Sequence, residues 1–333
     1  MAERTRIAVV GAGIAGLLAA TQLRERCDVV VFDKARGVGG RMATRRIGDA
    51  TFDHGAQFLT THTDRFASLV AEWEAAGVAA DWFSARVGPA GVADGPADAQ
   101  DGHTRYRGVG TMNDIAKLLA EGTHVRTQSR VTSVRLHGGR WRLRMGESEP
   151  GAGPRPDADA VDAGEVDADE VDADEVNADA VLLTAPVPQS LEMLEAGSVQ
   201  LTATDTEALD AIRYDPCLAV LVPLTGPAGL PEPGAVAPGV GPIDWMADNQ
   251  AKGVSATPAV TIHASAAESR RLWGADDRTV VRLLVHAAGL ASAAEIDAAH
   301  LQRWRFARPV VGHPDRCLTP VSYTHLRAHE TYL

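Results

Sequence analysis

The residues with the clearest chemistry sit near the N-terminus. Gly11-Ala12-Gly13-Ile14-Ala15-Gly16 is a GxGxxG spacing that follows an apolar run and opens an alanine-rich helical pattern. In that context each glycine has a separate task. The first makes the tight turn, the second admits a pyrophosphate to the backbone, and the third lets helix and strand pack closely. The free N–H groups at a helix N-terminus then favour the phosphate charge. Asp33 follows at the end of a second apolar run, twenty residues after Gly13, where a carboxylate can accept from the ribose hydroxyls of an adenosine. That carboxylate would repel a 2′-phosphate, so NADP is disfavoured as the tightly held nucleotide. By themselves the glycines admit any dinucleotide.

A second glycine cluster comes directly afterwards, in Lys34-Ala-Arg-Gly-Val-Gly-Gly40-Arg41-Met42. NAD binding does not require it. Arg41 can serve as a charge-assisted partner for a pyrophosphate. GxGxxG, an acid and then Arg-x-x-Gly-Gly-Arg resembles the flavin-binding start of the amine-oxidase-like flavoproteins. The longer string Phe32 to Arg45, with Phe52-Asp-His-Gly-Ala-Gln-Phe58 after it, resembles the bacterial renalase-like branch of that superfamily most. Tyr106 to Met112, Ala180 to Pro188 and Trp304 to Pro309 resemble later family segments, so the likeness spans most of residues 5–310. Asp33 stands where the family usually has Glu.

The resemblance implies FAD as cofactor, held by Gly11, Ala12, Gly13, Ile14, Ala15, Gly16, Asp33, Lys34, Gly40, Arg41 and Met42. Gly55, Ala56, Gln57 and Phe58 would lie near the flavin ring and Val131 near the adenine. His54 is a candidate acid/base with a pKa near neutral, and Gln57 a second candidate for tuning the flavin or orienting a substrate. Trp245 and His263 are candidates to line the substrate face. The implied reaction is hydride transfer from a reduced small molecule, with O2 as acceptor and H2O2 as product. The renalase likeness points to dihydronicotinamide isomers of NAD(P)H. Alternatives are an amine oxidase, a non-catalytic dinucleotide-binding protein or inactive fragment, and an NAD dehydrogenase without flavin. The last leaves Gly39-Gly40-Arg41 without a purpose. Neither a GxSxG elbow nor an HExxH is present.

The elements that must position these residues are legible in part. Ile7–Val10 and Val29–Phe32 read as buried strands around an Ile14–Arg26 helix. Helices are expected over Phe66–Ala76, from Thr111 with Asp114 as a reciprocal cap, and over Ala293–Arg303. Strands are expected at Ala80–Phe83, Thr123–Ser129, Val131–Leu136, Trp141–Met145, Ala180–Thr184, Leu218–Pro223, Val260–Ala264 and Val280–His286. His137-Gly-Gly139 reads as a hairpin turn. The fold class is therefore α/β: a Rossmann-type FAD/NAD(P)-binding domain with a smaller mixed-sheet α+β substrate domain. The expected FAD domain covers 1–60 and 105–190, with 301–317 returning to it; 61–104 and 191–300 form the substrate domain.

The net charge of −12 is concentrated. Residues 157–179 hold eleven acids and no Lys or Arg, in repeats of Glu-Val-Asp-Ala-Asp, so 151–180 reads as a low-complexity, solvated insertion. No specific calcium-binding loop is expected there. The remainder is close to neutral, with no basic field for nucleic acid. No apolar run reaches 18 residues, so no membrane span is expected. Cys27, Cys217 and Cys317 form no CxxC, so no zinc ribbon or redox pair is expected, and their odd count fits a reducing, cytoplasmic setting. His325 and His329 have helical metal-ligand spacing but no third ligand, so no metal is expected. Ser322 to Leu333 shows neither strand nor helix periodicity and resembles translated sequencing-adapter read-through. The family's C-terminal Gly-Asp motif and final helix, which hold the flavin's ribityl chain, are not found. The expectation is that the natural chain was cut near Cys317 and that 318–333 is a non-native tail.

Overall fold

The computed structural model describes residues 4–84, 87–88, 91–92, 103–146, 175–290, 293–313, 315, 317–321 and 324–326. The chain divides into two compact units. The first comprises 1–40, 116–213 and 309–331; the second comprises 41–115, 214–308 and 332–333.

In the first unit the apolar strand Arg6–Val10 lies between two parallel partners, Asp28–Phe32 and Ala180–Leu183. Ala8 and Val9 are almost fully buried, as a central strand covered on both faces requires. The connecting helix Ile14–Leu23 buries Leu17 and Ala20 completely. His124–Arg126 adds a further parallel strand beyond Asp28–Phe32. A separate antiparallel sheet is made by Val131–His137, Arg140–Met145 and Glu175–Ala178. Its first turn is Gly138-Gly139, with φ of 59° and 79° between the paired His137 and Arg140. Two successive residues at positive φ make the tight turn that matches strand twist.

The acidic repeat ends differently from the expectation of a wholly solvated insertion. Its last copy, Glu175 to Asp179, forms the third strand of that sheet. Val176 and Ala178 turn inward and are buried. Glu175 meets Arg135 at 2.9 Å and Asp179 meets Arg140 at 3.1 Å. Alternation of apolar and paired acidic residues is what a half-buried strand needs. The earlier copies lie outside the described residues. The stretch from Ser322, which shows no strand or helix periodicity in its sequence, also supplies a strand. Thr324–Leu326 pairs in parallel with Ala180–Leu183, and Leu318–Val321 pairs with it in the antiparallel sense. An open sheet edge offers backbone groups to any extended segment, so side-chain periodicity was not required. His329 lies outside the described residues.

The second unit is built on a five-stranded sheet in the order Ala235–Val236, Ile243–Asp248, Ala259–Ala264, Arg213–Pro223, His300–Val311. Leu218, Val220 and Val222 face a core that includes Val280, Val281, Leu284 and Val285. Those last four lie on helix Asp277–Ala287, not on the expected strand over 280–286. The run is apolar at i, i+1, i+4 and i+5, and Asp276 accepts from the Thr279 N–H at 2.9 Å, capping the helix start. The expected helix over 293–303 stops at Ala298, and Leu301 enters the edge strand instead. On the other face, Leu221 and Ala259 pack against Ala50 and Phe52 of a hairpin formed by Thr44–Ile47 and Ala50–Asp53. Helix Asp64–Ala75 is capped by Thr63, whose hydroxyl accepts from the Phe66 N–H. Helix Met112–Ala120 forms only half of its expected reciprocal cap. The Asp114 carboxylate accepts from the Thr111 N–H at 2.7 Å, while Thr111 Oγ1 is buried without a partner.

Candidate functional site

Two clusters of candidate residues result, one in each unit. The glycine cradle of the first unit is set by backbone geometry. Gly11 has φ +112°, and a Cβ there would lie 2.6 Å from Thr184 Oγ1. A Cβ on Gly16 would lie 1.9 Å from the Gly11 oxygen, so helix and turn approach too closely for any other residue. Around Gly13 a Cβ would meet nothing within 4 Å. The middle glycine therefore faces open space, as a turn that receives a ligand must, while the outer two are packed. The Ile14–Leu23 helix has no side-chain cap and no acid in its first turn. Its N-terminal dipole is left for an incoming anion.

The second glycine cluster packs onto the first. The Gly39 N–H donates to the Ala12 oxygen at 2.8 Å, and Gly39 bridges to Gly13 in the parallel sense. Gly39 and Gly40 have φ of 111° and 55°, and a Cβ on Gly40 would lie 3.3 Å from Gly13 Cα. Asp33 braces the same turn. Its Oδ2 accepts from the Ala12 N–H at 2.6 Å and its Oδ1 from the Ala35 N–H at 2.8 Å. Each oxygen keeps a second lone pair for a hydroxyl donor. This bracing role was not foreseen from spacing. Lys34 is exposed beside it, and Val131 is buried at the start of the antiparallel sheet.

Arg41, Gly55, Ala56, Gln57 and Phe58 fall in the second unit, on the wall of a cavity of about 330 Å³. That volume is within the range of small-molecule sites. Trp245 and His263, from neighbouring strands, line the same cavity, as does Trp304. Sequence reasoning placed Trp304 only through resemblance. Trp245 and Phe58 are 5.5 Å apart between ring centroids. At the cavity's charged side Arg308 stands 3.9 Å from Asp215 and 3.8 Å from Asp244, and Asp215 also pairs with Arg270. Both carboxylates are thus matched by guanidinium groups. Arg41 donates to the Ala307 oxygen at 3.2 Å. Cys217 is a neutral thiol: burial, and then Asp244, push it up to about 12 against a smaller opposing effect of Arg308.

His54 corrects an expectation. It stacks on Trp304 with 5.2 Å between centroids, and burial brings its pKa down to about 3, with Arg45, His263 and His300 adding to the effect. An imidazole so desolvated stays uncharged through the neutral range, so it is no acid/base poised near pH 7. Its contribution is through its backbone: the His54 oxygen accepts from Trp304 Nε1 at 2.9 Å and from His263 Nε2 at 3.2 Å. Gln57 is equally constrained. Its Nε2 donates to the oxygens of Asp53 (2.7 Å) and Gly55 (3.1 Å), leaving Oε1 buried without a donor.

Behind this wall is a hub that no motif announced. Asp53 and Lys252 form an ion pair at 2.8 Å with side chains 1% and 0% exposed. Asp53 Oδ1 also accepts from Thr44 Oγ1 at 2.9 Å and the Met112 N–H at 3.0 Å. The Asp53 oxygen takes the Thr261 hydroxyl at 2.9 Å besides Gln57. The Lys252 ammonium lies 5.0 Å from the centroid of Trp82, which makes an edge contact with Trp245. Nothing local in the sequence pairs two residues 199 positions apart.

Comparison with known proteins agrees with this architecture. Residues 9–73 match the family model of the NAD(P)-binding Rossmann-like domain. Putrescine oxidase solved with bound putrescine superposes with a TM-score of 0.66 at 14% identity, covering 97% of this chain and 93% of that one. A double mutant of putrescine oxidase gives 0.66 at 15% identity, with the same coverage. A protein described as a protoporphyrinogen oxidase from Exiguobacterium sp. 255-15 gives 0.60 at 13% identity, covering 92% and 88%. The chain has a mixed α/β fold with a parallel-sheet Rossmann-like unit, the architecture of these oxidases. Among the described residues no helix is long and apolar enough to cross a membrane.

Proposed function

We propose that this protein is an FAD-dependent oxidoreductase that takes hydride from a reduced small molecule and passes the electrons to O2, releasing H2O2. The observation that carries the reading is the cradle. Gly11 and Gly16 are packed shut, Gly13 faces open space, and Gly39-Gly40 stack on the same turn. A turn packed at both ends and open at its middle glycine fits a diphosphate. Bound FAD would supply the two-electron chemistry and the reaction with O2.

The chain's own residues would bind and orient. Gly11 to Gly16, Asp33, Lys34 and Gly40 would hold the diphosphate and ribose, with Val131 beside the adenine. Arg41, Met42 and Gly55 to Phe58 are assigned to the flavin end by the family resemblance. In the cavity of the second unit, Trp245, Trp304 and Phe58 supply flat apolar walls for a planar substrate. Gln57 is a fixed part of that wall, and His54 stands behind it, its carbonyl oxygen holding Trp304 and His263 in place. No proton needs to pass through His54.

The favoured substrate is a dihydronicotinamide isomer of NAD(P)H, as in the renalase-like branch. An amine is the second reading, favoured by the likeness to putrescine oxidase solved with putrescine. Against it, Asp215 and Asp244 are already matched by Arg308 and Arg270. The test is direct. Purified protein should be yellow and release FAD on denaturation. It should form H2O2 from the dihydronicotinamide isomers and not from a panel of mono- and diamines. Peroxide from amines alone would reverse the order of the two substrates. A colourless, folded protein that binds dinucleotide would establish the non-catalytic reading instead.

A further inference from the structure

The cavity of the second unit contains a hydrogen-bond acceptor whose orientation is set by the backbone. The His54 oxygen can only accept, so the ring nitrogen of His263 that lies 3.2 Å from it must carry the proton. Trp304 Nε1 donates to the same oxygen from 2.9 Å and holds it in place. With Nε2 protonated, a neutral His263 ring presents Nδ1 as a bare lone pair. The ring is neutral, because burial brings its pKa down to about 4, outweighing the raising effects of the His54 oxygen and Asp244. His263 is half-buried and lines the cavity, and no described residue donates to Nδ1. Gln57, on the same wall, has its amide nitrogen committed to two carbonyls and its oxygen without a donor. His263 Nδ1 is thus an acceptor on the cavity wall that no described residue meets, while Trp245 Nε1 on the same wall is a buried donor without an acceptor.

The charges decide what kind of donor fits. A cation would also donate, but it would have to compete with Arg308 and Arg270 for Asp215 and Asp244. An uncharged N–H on a planar ring can meet Nδ1 without that competition, and the aromatic walls suit the ring. We infer that His263 is the residue that reads the substrate, through a hydrogen bond from an uncharged amide-type N–H of a planar ring to Nδ1. This rests on the proposed small-molecule oxidoreductase reading and adds a specificity-determining residue to it.

Benzamide and acetophenone separate the two ideas, because they share the ring and the carbonyl and differ in NH2 against CH3. Binding of each to the folded, purified protein is followed by tryptophan fluorescence and calorimetry, with no turnover required. The wild type should prefer benzamide by roughly fivefold to tenfold, the effect of one hydrogen bond in a cavity. His263→Phe keeps a planar ring without the acceptor and should bind both equally. His263→Asn places a carbonyl near the former Nδ1 and should restore part of the preference. Equal binding of both probes by the wild type, or an unchanged preference in His263→Phe, overturns the inference. Should His263→Phe fail to fold, the wild-type ratio and His263→Asn decide the matter. Peroxide formation without the benzamide preference would sink this inference alone. The preference without flavin or turnover would sink the oxidoreductase reading alone.

Discussion

Replacing Lys252 by Met tests the energetic centre of the second unit. Lys252 and Asp53 are buried together at 2.8 Å, and the carboxylate also holds Thr44 and the Met112 N–H. Met has nearly the length of Lys but no charge, so Asp53 would remain buried and unmatched by a cation. Removing one partner of a buried pair costs about 3–5 kcal/mol, because the other charge keeps its desolvation penalty. Domains have only about 5–15 kcal/mol of stability in total. For a unit of roughly 170 residues each kcal/mol moves the melting temperature by about 2–4 °C, so a fall of roughly 6–20 °C is expected. Adding Asp53→Asn to Lys252→Met removes the stranded charge and keeps an acceptor for Met112. The double variant should recover at least about 1 kcal/mol relative to Lys252→Met alone. Urea unfolding followed by circular dichroism measures all three proteins. A loss below about 1 kcal/mol in Lys252→Met, or a double variant less stable than the single one, would refute the reasoning.

The remaining expectations use the same geometry. Gly13→Ala should fold normally and lose bound FAD, since its Cβ enters the space reserved for the diphosphate; Gly16→Ala should lose the fold, since its Cβ would lie 1.9 Å from the Gly11 oxygen. Thermal melts and flavin released per chain separate the two outcomes, and equal FAD content in Gly13→Ala and wild type would contradict the cradle. Acid should destabilise the second unit through its neutral imidazoles. His263 and His54 have pKa values of about 4 and about 3 against 6.5 for an exposed histidine. The unfolded chain thus binds protons first: full stability is present above pH 6.5 and is lost as pH falls through that value toward 4. The loss from His263 alone reaches about 3 kcal/mol. His263→Asn should flatten that limb in unfolding measured from pH 7 to pH 4, and an unchanged limb would count against the burial account.

Local pattern determined a definite part of this protein. The glycine spacing at 11, 13 and 16, the alternation around Gly138-Gly139 and the apolar runs at 7–10 and 29–32 depend on backbone sterics and short-range periodicity, and the structure keeps them. Pattern failed where a short apolar run suited two periods. Val280 to Val285 reads as strand or helix until the Asp276 cap and the sheet beneath settle it. The His54 expectation failed for a different reason: a histidine's pKa depends on what surrounds it, and nothing in Asp53-His54-Gly55 reveals Trp304 or burial. The Asp53–Lys252 pair, the tautomer of His263 and the balance of Asp215 and Asp244 against arginines all join residues far apart in the chain. The sequence by itself determined the cradle, because a turn is made by neighbours. Only the tertiary structure decided what the cavity can recognise, because charge, burial and hydrogen-bond direction there are set by side chains brought together from seven separate stretches.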